Sequence, residues 1–234
     1  MSFIKWDGIR SDELGVVVER YPALPGGGRI VNSVRIPGRN GELTEETGAF
    51  ENYSQPYEVY VSSAEVNAPA AVRRMRLWLL RPTGYRRLED SYDPDIYRRA
   101  RCTASPDVAN IMNRFGRATI TFDCDPRRFL KEGEAVQELT EPAVLYNAYM
   151  TAQPDIWVYG SGAGTLTVGG CSVALDIANG YIHLDCENGN AEDPQGNANF
   201  RIHAPEMPVL PPGEVQITWT GGVERVEIQP HWWM

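Results

Sequence analysis

Residues 171–186 alternate between apolar and polar side chains on both sides of Asn179-Gly180, and this pattern restricts the fold more than any other feature of the chain. Asn-Gly favours a two-residue type I′ turn, and a period of two favours half-buried strands. A hairpin closed by this turn has one wholly apolar face, made by the pairs Ile177–Ile182, Leu175–Leu184 and Val173–Cys186. The sequence therefore predicts antiparallel sheets that cover a core.

Further segments of the same kind flank this hairpin. Gly221-Gly222 predicts a second two-residue turn, with Trp219 on the inner face of its strands. Its cross-strand pairs are Ile217–Val226 and Val215–Ile228. Residues 156–159 and 165–168 also alternate, which predicts two strands joined by a flexible hairpin loop at 160–164. Together these segments predict a compact antiparallel β-sandwich.

One helix is predicted in the first part of the chain. Asn67 is suited to cap its N-terminus, and Pro82 ends it. The apolar residues that share its buried face are Ala68, Val72, Met75 and Leu79. Much of the remaining surface carries Arg73, Arg74 and Arg76. This Arg cluster is suited to bind phosphate, but we favour a solvated face or an intersubunit ion-pair surface.

Strands surround the predicted helix. Residues 57–61 and 118–123 alternate as half-buried strands do, and Pro126 is predicted to end the second one. The expected fold is mainly β, with an α+β N-terminal domain that contains one helix and a C-terminal antiparallel β-sandwich.

Charge changes abruptly along the sequence. Residues 1–140 contain 20 Lys or Arg and 20 Asp or Glu, whereas residues 141–234 contain 2 and 11, so the net charge of −9 lies in the second part. We place a boundary in the charged segment before this change, which predicts domains at 1–138 and 139–234. Phosphate backbones and anionic lipids would repel an acidic surface, so we expect no specific nucleic-acid binding and no membrane partner.

Targeting signals are not evident in the sequence. Residues 1–7 lack the long apolar segment of a signal peptide, and no apolar run approaches the ~20 residues that a membrane helix needs. We therefore expect a soluble protein that is made in the cytoplasm.

Catalytic and metal-binding patterns are weak. The predicted hairpin puts Asp176, His183 and Asp185 on its polar face, where they are suited to ligate a metal or form an acid–base pair, although we favour a solvated face. The four cysteines have no CxxC spacing, and Cys171 and Cys186 lie too far apart for an unstrained disulfide in the assumed register. With three histidines and no GxSxG motif, we expect no enzyme, no catalytic residue, no metal and no cofactor.

Tryptophan is concentrated in the acidic part of the chain. Trp157, Trp232 and Trp233 are candidate carbohydrate contacts, because aromatic rings stack on the apolar faces of sugars. Core packing is the commoner role of tryptophan, and the pattern does not place Trp232 and Trp233. A host saccharide is thus a candidate partner.

Short motifs spread over nearly the whole chain carry a family resemblance. They include residues 11–16, 116–122, 154–156, 182–186 and 210–213. A further motif is the run Ile36, Pro37, Gly38, Arg39, Asn40 and Gly41. In these motifs the chain resembles the distal tail protein (Dit) family of long-tailed, non-contractile bacteriophages.

The run from Ile36 to Gly41 is interpreted as a structural turn. Pro37 fixes φ, Gly38 permits a positive φ, and Asn40-Gly41 suits a tight hairpin turn. Family members commonly have Asp in place of Asn40, a departure that leaves the turn chemistry intact.

The resemblance implies a structural phage protein without catalysis or cofactor. It implies a homohexameric ring of N-terminal domains, with galectin-like sandwiches outside, at the tail tip of the virion. The implied partners are the tail tube protein and the tip, fibre or receptor-binding proteins of the baseplate. The alternative function is a carbohydrate-binding adhesion module that recognises a glycan on the host surface.

Overall fold

The structure, a computed structural model, describes residues 2–62, 68–112 and 115–234. It divides into two compact units, Met1–Arg128 and Phe129–Met234. The predicted mainly β fold with one α-helix is confirmed within the described residues. The domain boundary predicted at 138/139 falls inside a strand, Gln137–Leu139, and stays a prediction. No helix in the described residues is long and apolar enough to span a membrane.

The first unit is an antiparallel sheet with one helix and a separate hairpin. Its strands are β1 (Ile4–Trp6), β2 (Ile9–Arg10), β3 (Val16–Val18), β4 (Arg29–Val34), β5 (Leu43–Phe50), β6 (Tyr53–Ser62), β7 (Arg86–Asp90), β8 (Ile96–Arg101), β9 (Val108–Met112) and β10 (Phe115–Leu130). The helices are a 3-10 turn (Asp12–Leu14) and α1 (Ala68–Leu80). The main sheet has the order β2-β1-β7-β8-β10-β6-β3, β9 pairs with β10, and β4 and β5 pair only with each other among described strands.

The core of this unit lies between the sheet and α1. Trp6, Tyr57 and Phe122 pack their rings together, with centroids 4.9 Å apart for Trp6–Phe122 and 6.1 Å for Tyr57–Phe122. Trp78 of α1 is buried, and its indole Nε1–H donates to the Trp6 carbonyl at 3.2 Å. The helix is thereby fixed to the sheet by apolar packing and by one buried hydrogen bond.

The predicted helix and strands are present, with two differences in detail. Buried α1 residues are Ala71, Met75, Trp78 and Leu79, whereas Val72 is only half-buried. The predictions for Asn67 and for the side chain of Ala68 lie outside the described part of the chain. Pro126 does not end β10, which continues to Leu130. The pairing of β10 with β6 ends at Cys124, opposite Tyr53. Pro126 lies beyond this point, so its missing N–H removes no hydrogen bond to β6.

A charged group lies inside this core. Arg98 is 1% exposed, and its guanidinium donates to Asp90 Oδ2 at 3.0 Å. Tyr57 donates its hydroxyl to the same oxygen at 2.7 Å. Asp90 Oδ1 accepts hydrogen bonds from the backbone N–H groups of Tyr92 and Asp93. The carboxylate therefore links the loop between β7 and β8 to the core. Burial is the largest cause that raises the pKa of Tyr57 well above its usual value, which keeps that hydroxyl a donor.

The second unit is built from short strands around two long ones. Its strands are β11 (Gln137–Leu139), β12 (Ala143–Asn147), β13 (Asp155–Val168), β14 (Cys171–Ile177), β15 (Tyr181–Asp185), β16 (Asn190–Asp193), β17 (Gly196–Asn197), β18 (Ile202–His203) and β19 (Gly213–Gln229). Its 3-10 turns are Lys131–Glu134 and Asn199–Arg201. β13 and β19 pair along most of their length, with register shifts around Gly160–Gly164, so both strands run through the two halves of the sandwich.

The predicted hairpin at Asn179-Gly180 is wrong in its pairing. Ile182 of β15 pairs with Val158 in the first half of β13, whereas Ile177 of β14 pairs with Gly162 in the second half. The predicted apolar residues Val173, Leu175, Ile177, Ile182, Leu184 and Cys186 are nevertheless buried. Asn179-Gly180 therefore connects two strands that pair with different parts of β13. The Gly180 carbonyl accepts the Gly160 N–H at 3.1 Å, which holds this connection against β13.

The other two predicted turns of this unit are also wrong. Residues 160–164 lie within β13, and Gly221-Gly222 lies within β19. These glycines mark the kink at which the two strands cross in close contact. A Cβ on Gly222 would lie 1.8 Å from the Ser161 carbonyl oxygen, and a Cβ on Gly160 would lie 2.0 Å from the Gly222 oxygen. The glycines are therefore required by close backbone approach.

Candidate functional site

The hairpin β4–β5 has few contacts of its own with the core. Val34 pairs with Leu43 and Asn32 with Glu45, and almost every residue of both strands is exposed. Val34 is 57% exposed and Leu43 is 50% exposed. A two-stranded hairpin with an open apolar surface is marginal in water, and exposed apolar surfaces mark sites of association. This hairpin is the candidate assembly surface of the first unit.

The base of the hairpin is firmly held, whereas its tip is a loop. Glu51 N–H donates to the Gly28 carbonyl at 2.8 Å, where the hairpin leaves the sheet. A Cβ on Gly27 would lie 2.1 Å from the Glu51 oxygen, so the two chain segments pass in close contact. Arg35 and Glu42 lie 3.9 Å apart across the start of the tip. The hairpin thus leaves the unit from a well-defined base.

The predicted turn residues Ile36, Pro37, Gly38, Arg39, Asn40 and Gly41 lie at this tip. Arg39 N–H donates to the Ile36 carbonyl at 3.2 Å, and Gly38 has a φ of +81°. Pro at the second position and a positive φ at the third are features of a type II turn. Gly41 also has a positive φ, +82°. Glycine is thus favoured twice where the chain reverses.

The three candidate tryptophans lie in different surroundings. Trp157 is half-buried, and its ring stacks on His183 with centroids 4.5 Å apart and planes at 10°. Trp232 is 7% exposed, which leaves little of its ring accessible. Trp233 is half-buried, and its Nε1–H donates to the Thr151 carbonyl at 2.9 Å. A carbohydrate contact stays a prediction, and a glycan array with the full chain and its Trp157→Ala variant would test it.

Asp155 joins two histidines beside Trp157, an arrangement that sequence reasoning missed. His183 Nε2 lies 3.0 Å from Asp155 Oδ1, and His231 Nε2 lies 2.8 Å from Oδ2. Burial acts to raise the pKa of Asp155, but the two imidazole hydrogen bonds outweigh it and hold that pKa well below its usual value. No sequence signal joins these residues, because Asp155 and His231 are far apart in the chain and the motif at 154–156 contains neither histidine.

The predicted group Asp176, His183 and Asp185 is not brought together as expected. Asp176 lies on β14 in the other half-sheet, where Arg201 Nη1 lies 3.6 Å from its carboxylate. Asp185 accepts the Asn188 N–H at 2.9 Å. The polar face predicted for this hairpin does not form, because β14 and β15 do not pair with each other. Within the described part of the chain, no group of three or more His, Cys, Asp or Glu is arranged to hold a metal ion.

The cysteines are free thiols in the structure. Cys102, Cys124 and Cys186 are buried, and Cys171 is half-buried. Burial raises the pKa of Cys124 and of Cys186 to about 12. A nucleophilic cysteine needs an accessible thiolate, so these two side chains act as small apolar residues of their cores.

Comparison with known proteins finds similarity in fold. Over 98% of both chains, the structure superposes on the Dit protein of phage SPP1 with a TM-score of 0.77 and 14% identity. That protein is described as a paradigm of the hub adsorption apparatus of phages that infect Gram-positive bacteria. Over 97% of both chains it is similar to a chain of the phage P2 baseplate in its activated, calcium-containing conformation, with a TM-score of 0.50 and 9% identity. No protein-family model and no curated protein sequence matches.

Proposed function

We propose that this protein is a structural component of a phage tail tip, in which six copies form a ring that joins the tail tube to the baseplate and its adhesion proteins. The observation that carries this proposal is the similarity of the whole fold, both units included, to a phage hub protein. Similarity over 98% of both chains means that the architecture as a whole corresponds, and not only one common sandwich.

The exposed hairpin supports assembly from identical copies. Its open apolar surface is unfavourable in an isolated chain, and burying a Val or Leu side chain contributes about 1.5–3 kcal/mol. Oligomers of identical chains usually close by rotational symmetry, and a protruding arm that contacts the next copy generates a ring. In this proposal the protein has no catalytic role, and its second unit forms the outer part of the assembly.

The acidic charge of the second unit is consistent with an outer position. A surface of one charge sign limits nonspecific association, and it is unsuited to contact with nucleic acid. In this proposal the protein assembles in the host cytoplasm and resides at the virion tail tip.

Native mass spectrometry of the full chain over a range of concentrations tests the ring. We expect a species of six times 26.1 kDa, about 157 kDa, that dissociates on dilution. Electron microscopy of the same sample should show closed rings. A chain that stays monomeric at the highest concentration it reaches in solution, both alone and with tail tube protein, would contradict the proposal.

A further inference from the structure

Helix α1 exposes a row of side chains on the side opposite its buried face. Arg73, Arg76, Leu77 and Leu80 follow the spacing i, i+3, i+4 and i+7, which puts them on one side of α1. Arg81 directly follows the helix, and its N–H donates to the Leu77 carbonyl at 3.0 Å. Leu77 is 68% exposed and Leu80 is 41% exposed. The five residues line an open groove of about 540 Å³. We call this surface the α1 groove.

The arginines of the α1 groove differ from most others in the first unit. Ten arginines there form ion pairs with acidic side chains: Arg10, Arg20, Arg29, Arg35, Arg86, Arg87, Arg98, Arg101, Arg117 and Arg127. Within residues 2–62, 68–112 and 115–234, the structure shows no ion pair for Arg73, Arg76 or Arg81. Guanidinium groups are suited to bind carboxylates, and the exposed leucines are suited to bind apolar side chains. The α1 groove therefore fits a partner with an apolar pair beside a carboxylate.

The hairpin β4–β5 carries that combination. Val34 pairs with Leu43, and Glu45 lies two residues after Leu43, so the three side chains share one face. Glu42 and Glu46 form ion pairs with Arg35 and Arg29. For Glu45 the described part of the chain offers no ion pair, which leaves this carboxylate available. We call this surface the Glu45 face of the hairpin.

The α1 groove is not suited to contact the α1 groove of a second copy. Two α1 grooves would bring arginines against arginines, and like charges across an interface are unfavourable. A contact between unlike surfaces of two copies avoids this repulsion and repeats around a ring.

We propose that the α1 groove binds the Glu45 face of a second copy's hairpin, with Val34 and Leu43 against Leu77 and Leu80, and Glu45 beside Arg76. This inference rests on the proposed ring, because it names the surfaces by which neighbouring copies associate. Two exposed apolar surfaces are buried by the one contact.

Cross-linking of the full chain tests the contact directly. In the double variant Leu43→Cys/Leu77→Cys, a short bis-maleimide should join neighbouring copies into a covalent ladder that ends at the ring size. The single variants Leu43→Cys and Leu77→Cys, and the unmodified chain with its own four free cysteines, are the controls and should give no ladder. Native mass spectrometry of each variant before cross-linking shows whether the ring is intact.

Charge reversal provides an independent readout. Arg76→Glu and Glu45→Arg should each weaken assembly about tenfold, and the two changes in one chain should restore most of the loss, since they recreate the opposite pair. Arg74→Glu is the matched control, because Arg74 lies on the same helix but does not line the α1 groove, and it should leave assembly unchanged.

The outcomes separate this inference from the proposed function. Intact rings that give no covalent ladder, or reversals that weaken assembly without mutual rescue, would overturn the contact and leave the ring in place. An unmodified chain that stays monomeric both alone and with tail tube protein would instead contradict the ring, and this contact with it.

Discussion

Asp155 links the C-terminal segment of the second unit to its sheet. One carboxylate oxygen binds His183 on β15, and the other binds His231, which follows β19. His231 has a φ of +53°, a left-handed conformation that is unfavourable for a residue with a side chain. The hydrogen bond to Asp155 offsets this strain, because a charged acceptor makes a stronger bond than a neutral one.

We predict that Asp155→Asn lowers the free energy of unfolding by about 1.5–3 kcal/mol at pH 7, the usual contribution of charge-assisted hydrogen bonds. The pKa of Asp155 is depressed on folding, so its stabilisation is present above the unfolded value, about 4, and is lost as pH falls toward the folded value. Urea unfolding of the unmodified protein and of Asp155→Asn should therefore show a difference in unfolding free energy that becomes smaller below about pH 4.

Asp176→Asn is the control for this change. The Asp176 side chain is 66% exposed and has only a 3.6 Å approach from Arg201, so the expected effect is within about 0.5 kcal/mol. If Asp155→Asn lowers the free energy of unfolding equally at pH 7 and at pH 3, the negative charge of Asp155 does not provide the stabilisation.

At the scale of elements, the kink shared by β13 and β19 determines the second unit. Gly221 has a φ of +73°, and a Cβ at this position would lie 2.6 Å from the Ala163 carbonyl oxygen. Because of the kink, β13 and β19 pair with each other on both sides of it. β15 pairs with the part of β13 before the kink, and β14 pairs with the part after it. Bulges and glycines commonly provide such bends in closed or folded sheets.

We predict that Gly222→Ala destabilises the protein by at least about 3 kcal/mol, because its Cβ would lie 1.8 Å from the Ser161 oxygen and the backbone must move. Gly170→Ala is the matched control. A Cβ on Gly170 would meet no atom within 4 Å, and Gly170 has no positive φ, so its substitution should be nearly neutral. Thermal unfolding of both variants, followed by tryptophan fluorescence, measures the difference.

The two glycine segments also show what sequence can and cannot predict. Alternation correctly predicted that Val173, Leu175 and Ile177 are buried, because burial depends on the period along one strand. It did not predict the partner strand. Gly221-Gly222 is compatible with a two-residue turn and with a kink inside a strand, and both arrangements bury the same alternate residues.

The same limit applies to the candidate surfaces. The arginines of α1 were evident in the sequence, and an intersubunit surface was one of the interpretations that we favoured. Leu77 and Leu80 were not distinguished, because an apolar residue on a helix is ordinarily expected to be buried. The exposure of both leucines is a property of how α1 packs, which only the structure provides.

At the scale of the whole molecule, charge follows the structural division more closely than the predicted one. Residues 1–128 contain 19 Lys or Arg and 17 Asp or Glu, a net charge of +2. Residues 129–234 contain 3 and 14, a net charge of −11. Moving the boundary from 138 to 128 therefore assigns the acidic segment around Glu132 to the acidic unit.

Residues 129–138 are bound to the C-terminal end of the second unit. Leu130 N–H donates to the Trp232 carbonyl at 2.8 Å, and His231 N–H donates to the Gly133 carbonyl at 2.9 Å. A Cβ on Gly133 would lie 2.4 Å from the Trp232 nitrogen, so the two segments are in close contact. β11 adds a strand to β19 through the pairs Gln137–Ile228, Glu138–Glu227 and Leu139–Val226.

We predict that a fragment of residues 129–234 folds alone, and that a fragment of residues 139–234 is less stable by at least about 3 kcal/mol. The shorter fragment loses two buried backbone hydrogen bonds and most of β11, and it exposes Trp232. Each lost hydrogen bond lowers the free energy of unfolding by about 1 kcal/mol. Exposure of a large apolar side chain lowers it by about 1.5–3 kcal/mol. Urea unfolding followed by tryptophan fluorescence compares the two fragments. Equal stabilities would favour the boundary at 138/139, because residues 129–138 would then contribute nothing to the fold of the second unit.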